Sequence, residues 1–221
     1  MQDEIIKHAQ KIYRTAWKSK QMLSGKITEV AIEIFIIVFS VSLSIWLHSW
    51  NEHRHQQIVV QEFLVDLKSE LNNDLLGLDE GKKEYNEIKK SIDCLRDTTK
   101  RNFSINYIER MPNNANYEGF KSSGKISTIE NKKLKNLILE YYQKTSPSTY
   151  SLDDIFNSQV KVIAEESNFD NRNMFDILNE PIYNRVLKRL EYYIEHNAVF
   201  YDFASKQIKE IIQEIDKEIN E

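Results

Sequence analysis

The sequence predicts an all-α protein, with one transmembrane helix continuing into an extracytoplasmic helical bundle of two long and two short helices. Three observations predict it. An apolar stretch from Val30 to Trp50 contains a single charged residue, Glu33. Charged residues make up 29% of the chain while Gly and Pro number only 5 and 3, a composition that favours long helices over turn-rich sheets. Outside the stretch, apolar residues recur mostly at steps of 3 and 4, the period of a helix face. The chain divides into residues 1–29, a basic amphipathic segment, residues 30–50, the membrane span, and residues 51–221, enough for one domain with its own core.

In the first segment Ile5, Ala9, Ile12 and Ala16 recur at helical spacing, with Ile6, Tyr13 and Trp17 one step round and cations on the other face. Such a helix suits an anionic membrane surface; a solvated basic tail is the plainer alternative. Through residue 26 it carries Lys7, Lys11, Arg14, Lys18, Lys20 and Lys26 against Asp3 and Glu4, whereas Arg54 and then Lys68 are the next cations after the span. The positive-inside rule therefore puts the N-terminus in the cytoplasm and residues 51–221 across the membrane. No small-x-small cleavage site follows the apolar run, so it reads as an uncleaved signal anchor.

At a 1.5 Å rise, the span covers roughly the 30 Å of a bilayer's hydrocarbon core. Glu33 lies about one turn inside its cytoplasmic edge, and Ser40, Ser44, His48, Asn51 and His55 share its face. Three readings stand: a helix–helix seam built on the small-xxx-small pair Ser40 and Ser44, an ordinary edge-of-membrane glutamate, or a group that carries ions or protons. Trp46, His48 and Trp50 are placed to anchor the outer interface.

Beyond Trp50 the stripe Val60, Phe63/Leu64, Leu67, Leu71, Leu75, Leu78, Tyr85, Ile88, Ile92 and Leu95 predicts that the span continues as a helix to about residue 98. Gly77 and Gly81 are expected to weaken or kink it. Met111-Pro112-Asn113-Asn114 is a turn signal, Tyr117 to Ser123 is a short helix closed by Gly124, and Ser127 or Thr128 is expected to cap the next. That helix carries Ile129, Leu134, Leu137/Ile138 and Tyr141, with Pro147 beyond its end; another starts at Ser151 with Asp153 and Asp154 in its first turn. Pro181 opens a final long helix striped from Ile182 to Ile219. Two short helices cover only part of two long ones. The apolar runs Val60–Leu71 and Ile208–Ile219 are therefore expected to meet a second copy of the chain.

The junction Ser49-Trp50-Asn51-Glu52, after an apolar helix opening on Glu33, resembles a family of uncharacterised bacterial envelope proteins, domain-of-unknown-function family 6090. Members have Gly-Glu at the start of the anchor and Asn-Trp-Asn-Glu at its end; Ile32 and Ser49 depart from that pattern here. Tyr117-Glu118-Gly119-Phe120, Ser123-Gly124, Ile129, Asn131, Leu134 and Tyr141-Tyr142 extend the resemblance. It implies a single-pass anchor with a helical extracytoplasmic domain and supplies no activity.

Few residue groups invite chemistry. His48, Glu52 and His55 share a helix face, a feasible metal or pH-sensing set, but one helix does not easily close a site. Asp170, Arg172, Met174 and Asp176 lack the glycine and terminal glutamate of a calcium loop. Cys94 is alone, a small buried residue or an intermolecular disulfide. A net charge of −4 argues against nucleic acid. No catalytic residue, cofactor site or metal site is expected. The partners expected are the lipid bilayer and a second copy or another envelope protein. The functional expectation is a non-enzymatic bacterial inner-membrane protein whose domain binds a partner or supports an assembly. The alternative is a subunit of an ion- or proton-coupled membrane complex that uses Glu33.

Overall fold

The computed structural model describes residues 2–96, 105–169 and 180–220, without the side chains of residues 2–10, 12–28, 95–96 and 166–169. The described residues contain helices and no strand, so the all-α class holds. The loop Asp170 to Asp176 and the amphipathic face of residues 1–28 lie outside what is described. Two compact units divide at Gln56.

The first unit holds the N-terminal part of α1 (Gln2–Arg96). All three prolines lie beyond this helix, at 112, 147 and 181, so nothing in it removes a ladder donor. By length and composition it can cross a membrane, and the side chains from Glu29 to Gln56 are exposed.

The second unit packs the rest of α1 with α2 (Ala115–Ser122), α3 (Lys132–Glu140), α4 (Ser146–Phe169) and α5 (Pro181–Asn220). α1 and α5 run antiparallel, and three ion pairs act as a ruler. Lys68 meets Asp216, Lys82 meets Asp202 at 2.9 Å and Lys89 meets Glu195 at 2.9 Å. From the first pair to the last, each helix advances by 21 residues. These pairs are too exposed to add much stability. The register comes from the apolar stripes beneath them.

Those stripes are buried inside one chain, which corrects the expectation that they meet a second copy. Val60, Phe63, Leu64, Leu67 and Leu71 of α1 and Ile208, Ile211 and Ile215 of α5 all belong to the core. The physical reason is that the short helices reach further than their lengths suggested. α2 lays Phe120 flat on Phe63, ring centroids 3.8 Å apart, and α3 adds Leu134 and Ile138.

Other local readings change as well. Gly124, at φ +76°, ends α2 as expected. The cap of α3 is Asn131, not Ser127 or Thr128: its side chain accepts from the Leu134 N–H at 3.1 Å, and residues Lys125–Thr128 form a 3₁₀ turn. α3 does not stop before Pro147. It widens into a π turn (Tyr141–Thr145) and continues as α4. Pro147 has no N–H to offer the carbonyl four residues back, and the wider turn just before it is where the ladder absorbs that gap. Tyr141 and Tyr142, both in the π turn, are buried.

Gly77 and Gly81 of α1 have different roles, and neither interrupts the helix. A Cβ at Gly77 would meet nothing within 4 Å, whereas one at Gly81 would lie 2.7 Å from Cε2 of Tyr201. Gly77→Ala should therefore raise stability by up to about 1 kcal/mol. Gly81→Ala should lower it by about 1–3 kcal/mol, because the Tyr201 ring has no room to retreat. Denaturation midpoints read from the tyrosine near-ultraviolet signal check both signs.

Candidate functional site

The residues singled out in the first unit all lie on the exposed part of α1. Glu33, Ser40, Ser44, Trp46, His48 and Trp50 are all exposed on α1. The Ser44 hydroxyl donates to the Ser40 carbonyl at 2.8 Å, so it is satisfied along its own helix. The Arg54 guanidinium stands 5.0 Å from the Trp50 ring centroid, and Gln56 reaches Glu52 at 3.5 Å. Among the described residues, no group of three or more His, Cys, Asp or Glu is placed to hold a metal. His48, Glu52 and His55 are therefore not brought together as a site.

The second unit holds a polar centre that the sequence reading missed. Asp153 of α4 is 3% exposed. Its Oδ1 accepts the hydroxyls of Tyr85, at 2.7 Å, and Tyr201. Its Oδ2 accepts Nε and Nη2 of Arg110 at 2.9 and 2.6 Å. The guanidinium lies between the rings of Tyr150 and Tyr201, at 4.8 and 4.4 Å from their centroids. Asn197 of α5 donates to the Tyr85 hydroxyl at 2.7 Å. Both oxygens of Asp153 are thus filled and its charge is matched. Such a group orders its surroundings and is not available as a base. The irregular segment carrying Arg110 is tied down again at Ile108, whose N–H and C=O both bond the side chain of Asn157 at 2.9 Å.

A pair of acids on α1 lacks that compensation. Glu70 and Asp74, one turn apart on α1, are 3% and 7% exposed. Their hydrogen-bond donors are neutral. Tyr142 gives its hydroxyl to Glu70 and Tyr141 gives its own to Asp74, each at 2.7 Å. Glu70 also accepts the Asn116 N–H at 2.9 Å, in the first turn of α2. Both tyrosines lie in the π turn, and both hydroxyls reach neighbouring acids of α1. Burial is the main force raising both acids above the ordinary carboxylate range, Asp74 to about 6. The charge of Glu70 pushes Asp74 further up, while the Tyr141 hydroxyl and Arg110 oppose the shift. The same burial pushes the hydroxyls of Tyr141 and Tyr142 far above their usual range. A cleft of about 230 Å³ opens beside Asp74, walled by Gly77, Gly81, Glu109, Arg110 and Tyr150, so solvent reaches the edge of the pair. Chemically, the arrangement can bind and release a proton.

The signal for this pair was present in the spacing. Asp74 falls 3 residues after Leu71 and 4 before Leu78, a core position of the α1 stripe. Asn197 stands likewise between Ile194 and Tyr201. A polar residue on an apolar stripe is a buried polar group until shown otherwise.

No protein-family model, curated protein or solved structure matches this chain.

Proposed function

We propose that this is a non-enzymatic, single-pass protein of the bacterial inner membrane, with a cytoplasmic N-terminus and a helical domain on the far side that binds a partner or supports an assembly. The observation that carries the reading is the stretch Val30–Trp50, apolar and exposed on a helix long enough to cross a membrane. Its polarity follows from the Lys and Arg that precede it. The partners proposed are the bilayer and either a second copy or another envelope protein. Membership of the family resembled at Ser49-Trp50-Asn51-Glu52 belongs to the same proposal. Because the stripes of the bundle are filled within one chain, proposed self-association rests on the membrane face of Glu33, Ser40 and Ser44.

A reporter enzyme fused after residue 221 tests the topology: one active only outside the cytoplasm should be active, and one active only inside should be silent. The reverse pattern overturns the compartment. Mass measurement in detergent tests the seam. The full chain should associate, and Ser40→Leu together with Ser44→Leu should return it to monomer. The alternative reading rests on Glu33, an exposed acid inside the apolar stretch. It expects Glu33→Gln to abolish activity of the complex while membrane insertion is unchanged; the leading reading expects no change.

A further inference from the structure

We propose that Glu70 and Asp74 hold a single proton between them, and that its loss on going from acid to neutral pH loosens the hold of α1 on the Tyr141–Thr145 turn and on the start of α2. The inference concerns the domain itself and stands whichever side of a membrane it occupies.

The geometry carries it. The two carboxylates are nine-tenths buried or more and one turn apart, and each is bonded to a neutral tyrosine hydroxyl rather than to a cation. Two such groups ionised together repel each other in a poorly screened interior; one proton removes that repulsion. The groups facing the pair leave the balance unfavourable to two charges. From α1 come Glu80 and Glu84, and from the 105–114 segment Glu109 and Arg110, all at the cleft. Arg110 is spoken for by Asp153. The π turn presents Tyr141 and Tyr142, α4 presents Tyr150 and Asp153, and α5 presents Tyr201 across Arg110. Among these, Arg110 is the one cation.

The pair also sits where a change in charge would be felt. Glu70 holds the Asn116 N–H in the first turn of α2, and its own carbonyl accepts Asn113 Nδ2 at 3.4 Å. Asp74 holds Tyr141, in the one stretch where the α3–α4 ladder departs from the α pattern. The cleft gives water a path to Asp74 without unfolding the bundle.

The sign follows from linkage. Burial raises Asp74 from an ordinary 3.8 to about 6 in the folded protein, so folding favours its protonated form. The stability it contributes is full below the ordinary value and is lost as the pH rises through about 6. Between pH 5 and 7.5 that difference corresponds to an increase of about tenfold in local opening.

Amide hydrogen exchange of the full chain in detergent micelles, from pH 4.5 to 8 and corrected for intrinsic rates, reads this directly. Peptides covering 113–118 and 141–146 should exchange about tenfold faster at pH 7.5 than at pH 5. Asp74→Asn should flatten that dependence at the protected, low-pH level. Glu70→Gln should move the midpoint down by removing the like charge, and Tyr141→Phe should move it up by removing a donor to the carboxylate. These opposite displacements are not expected of residues that merely fill space. A flat wild-type profile in both peptides overturns the proposal, as does an Asp74→Asn profile that still follows the wild type. Should Asp74→Asn fail to fold, midpoints displaced in opposite directions by the other two variants support the proposal, and unmoved midpoints overturn it.

Discussion

Asp153→Ala should be among the most damaging single changes in this protein, with a loss of stability of about 3–5 kcal/mol. The substitution leaves the Arg110 guanidinium, sandwiched between Tyr150 and Tyr201, without its counter-charge. It also strips the hydroxyls of Tyr85 and Tyr201 of their shared acceptor. Unmatched buried charge is the dominant cost, with about 1–3 kcal/mol for each hydroxyl left unsatisfied, and the terms do not simply add. Arg110→Ala should cost less than Asp153→Ala, because the aspartate retains its two tyrosine donors. The pair of substitutions together should cost clearly less than their sum. Chemical denaturation of the detergent-solubilised chain checks the ordering. The tyrosine near-ultraviolet signal is the right probe, since of 11 tyrosines only Tyr13 lies before residue 57.

Leu67→Ala and Ile208→Ala should each cost about 2–5 kcal/mol, the range for deleting a fully buried aliphatic side chain. Both residues are inaccessible to solvent in a single chain. The loss should therefore be the same across a tenfold range of protein concentration. Had these stripes been completed by a second copy, the midpoint would rise with concentration, since association adds stability by mass action. The experiment thus measures a packing energy and asks at the same time whose side chains fill the gap.

The long helices were legible because their periodicity is sustained. Over Val60–Ile92 and Ile182–Ile219 the 3–4 spacing leaves no competing reading, and Pro181 marks where the second begins. The region between them was less legible. Pro147 reads locally as a terminator, and nothing in its neighbours announces a π turn that lets the helix pass through it. The consequence spread to the site. With a helix start placed at Ser151, Asp153 reads as a first-turn acid, whereas it lies inside a continuous helix and is buried. Arg110 was silent for a different reason. It lies in a segment without periodicity, whose course is fixed by tertiary contacts such as those with Asp153 and Asn157. The acids on α1 were readable in principle, because Asp74 occupies a stripe position, but counting only apolar residues passes over it.

The antiparallel ruler between α1 and α5 has a consequence for how the chain is made. Lys68 waits for a partner 148 residues further on. At about 5–20 residues per second of synthesis, that is a delay of roughly 7–30 s. For nearly all of it, Leu64, Leu67 and Leu71 have been made while Ile208, Ile211 and Ile215 do not yet exist. A nascent chain therefore exposes a leucine-rich ridge for seconds, far longer than a helix needs to form. α2 and α3 can reach α1 earlier, but the bundle is completed only when α5 arrives. A ribosome stalled before residue 208 should present α1 as a helix already wound and still open to any holding chaperone in that compartment.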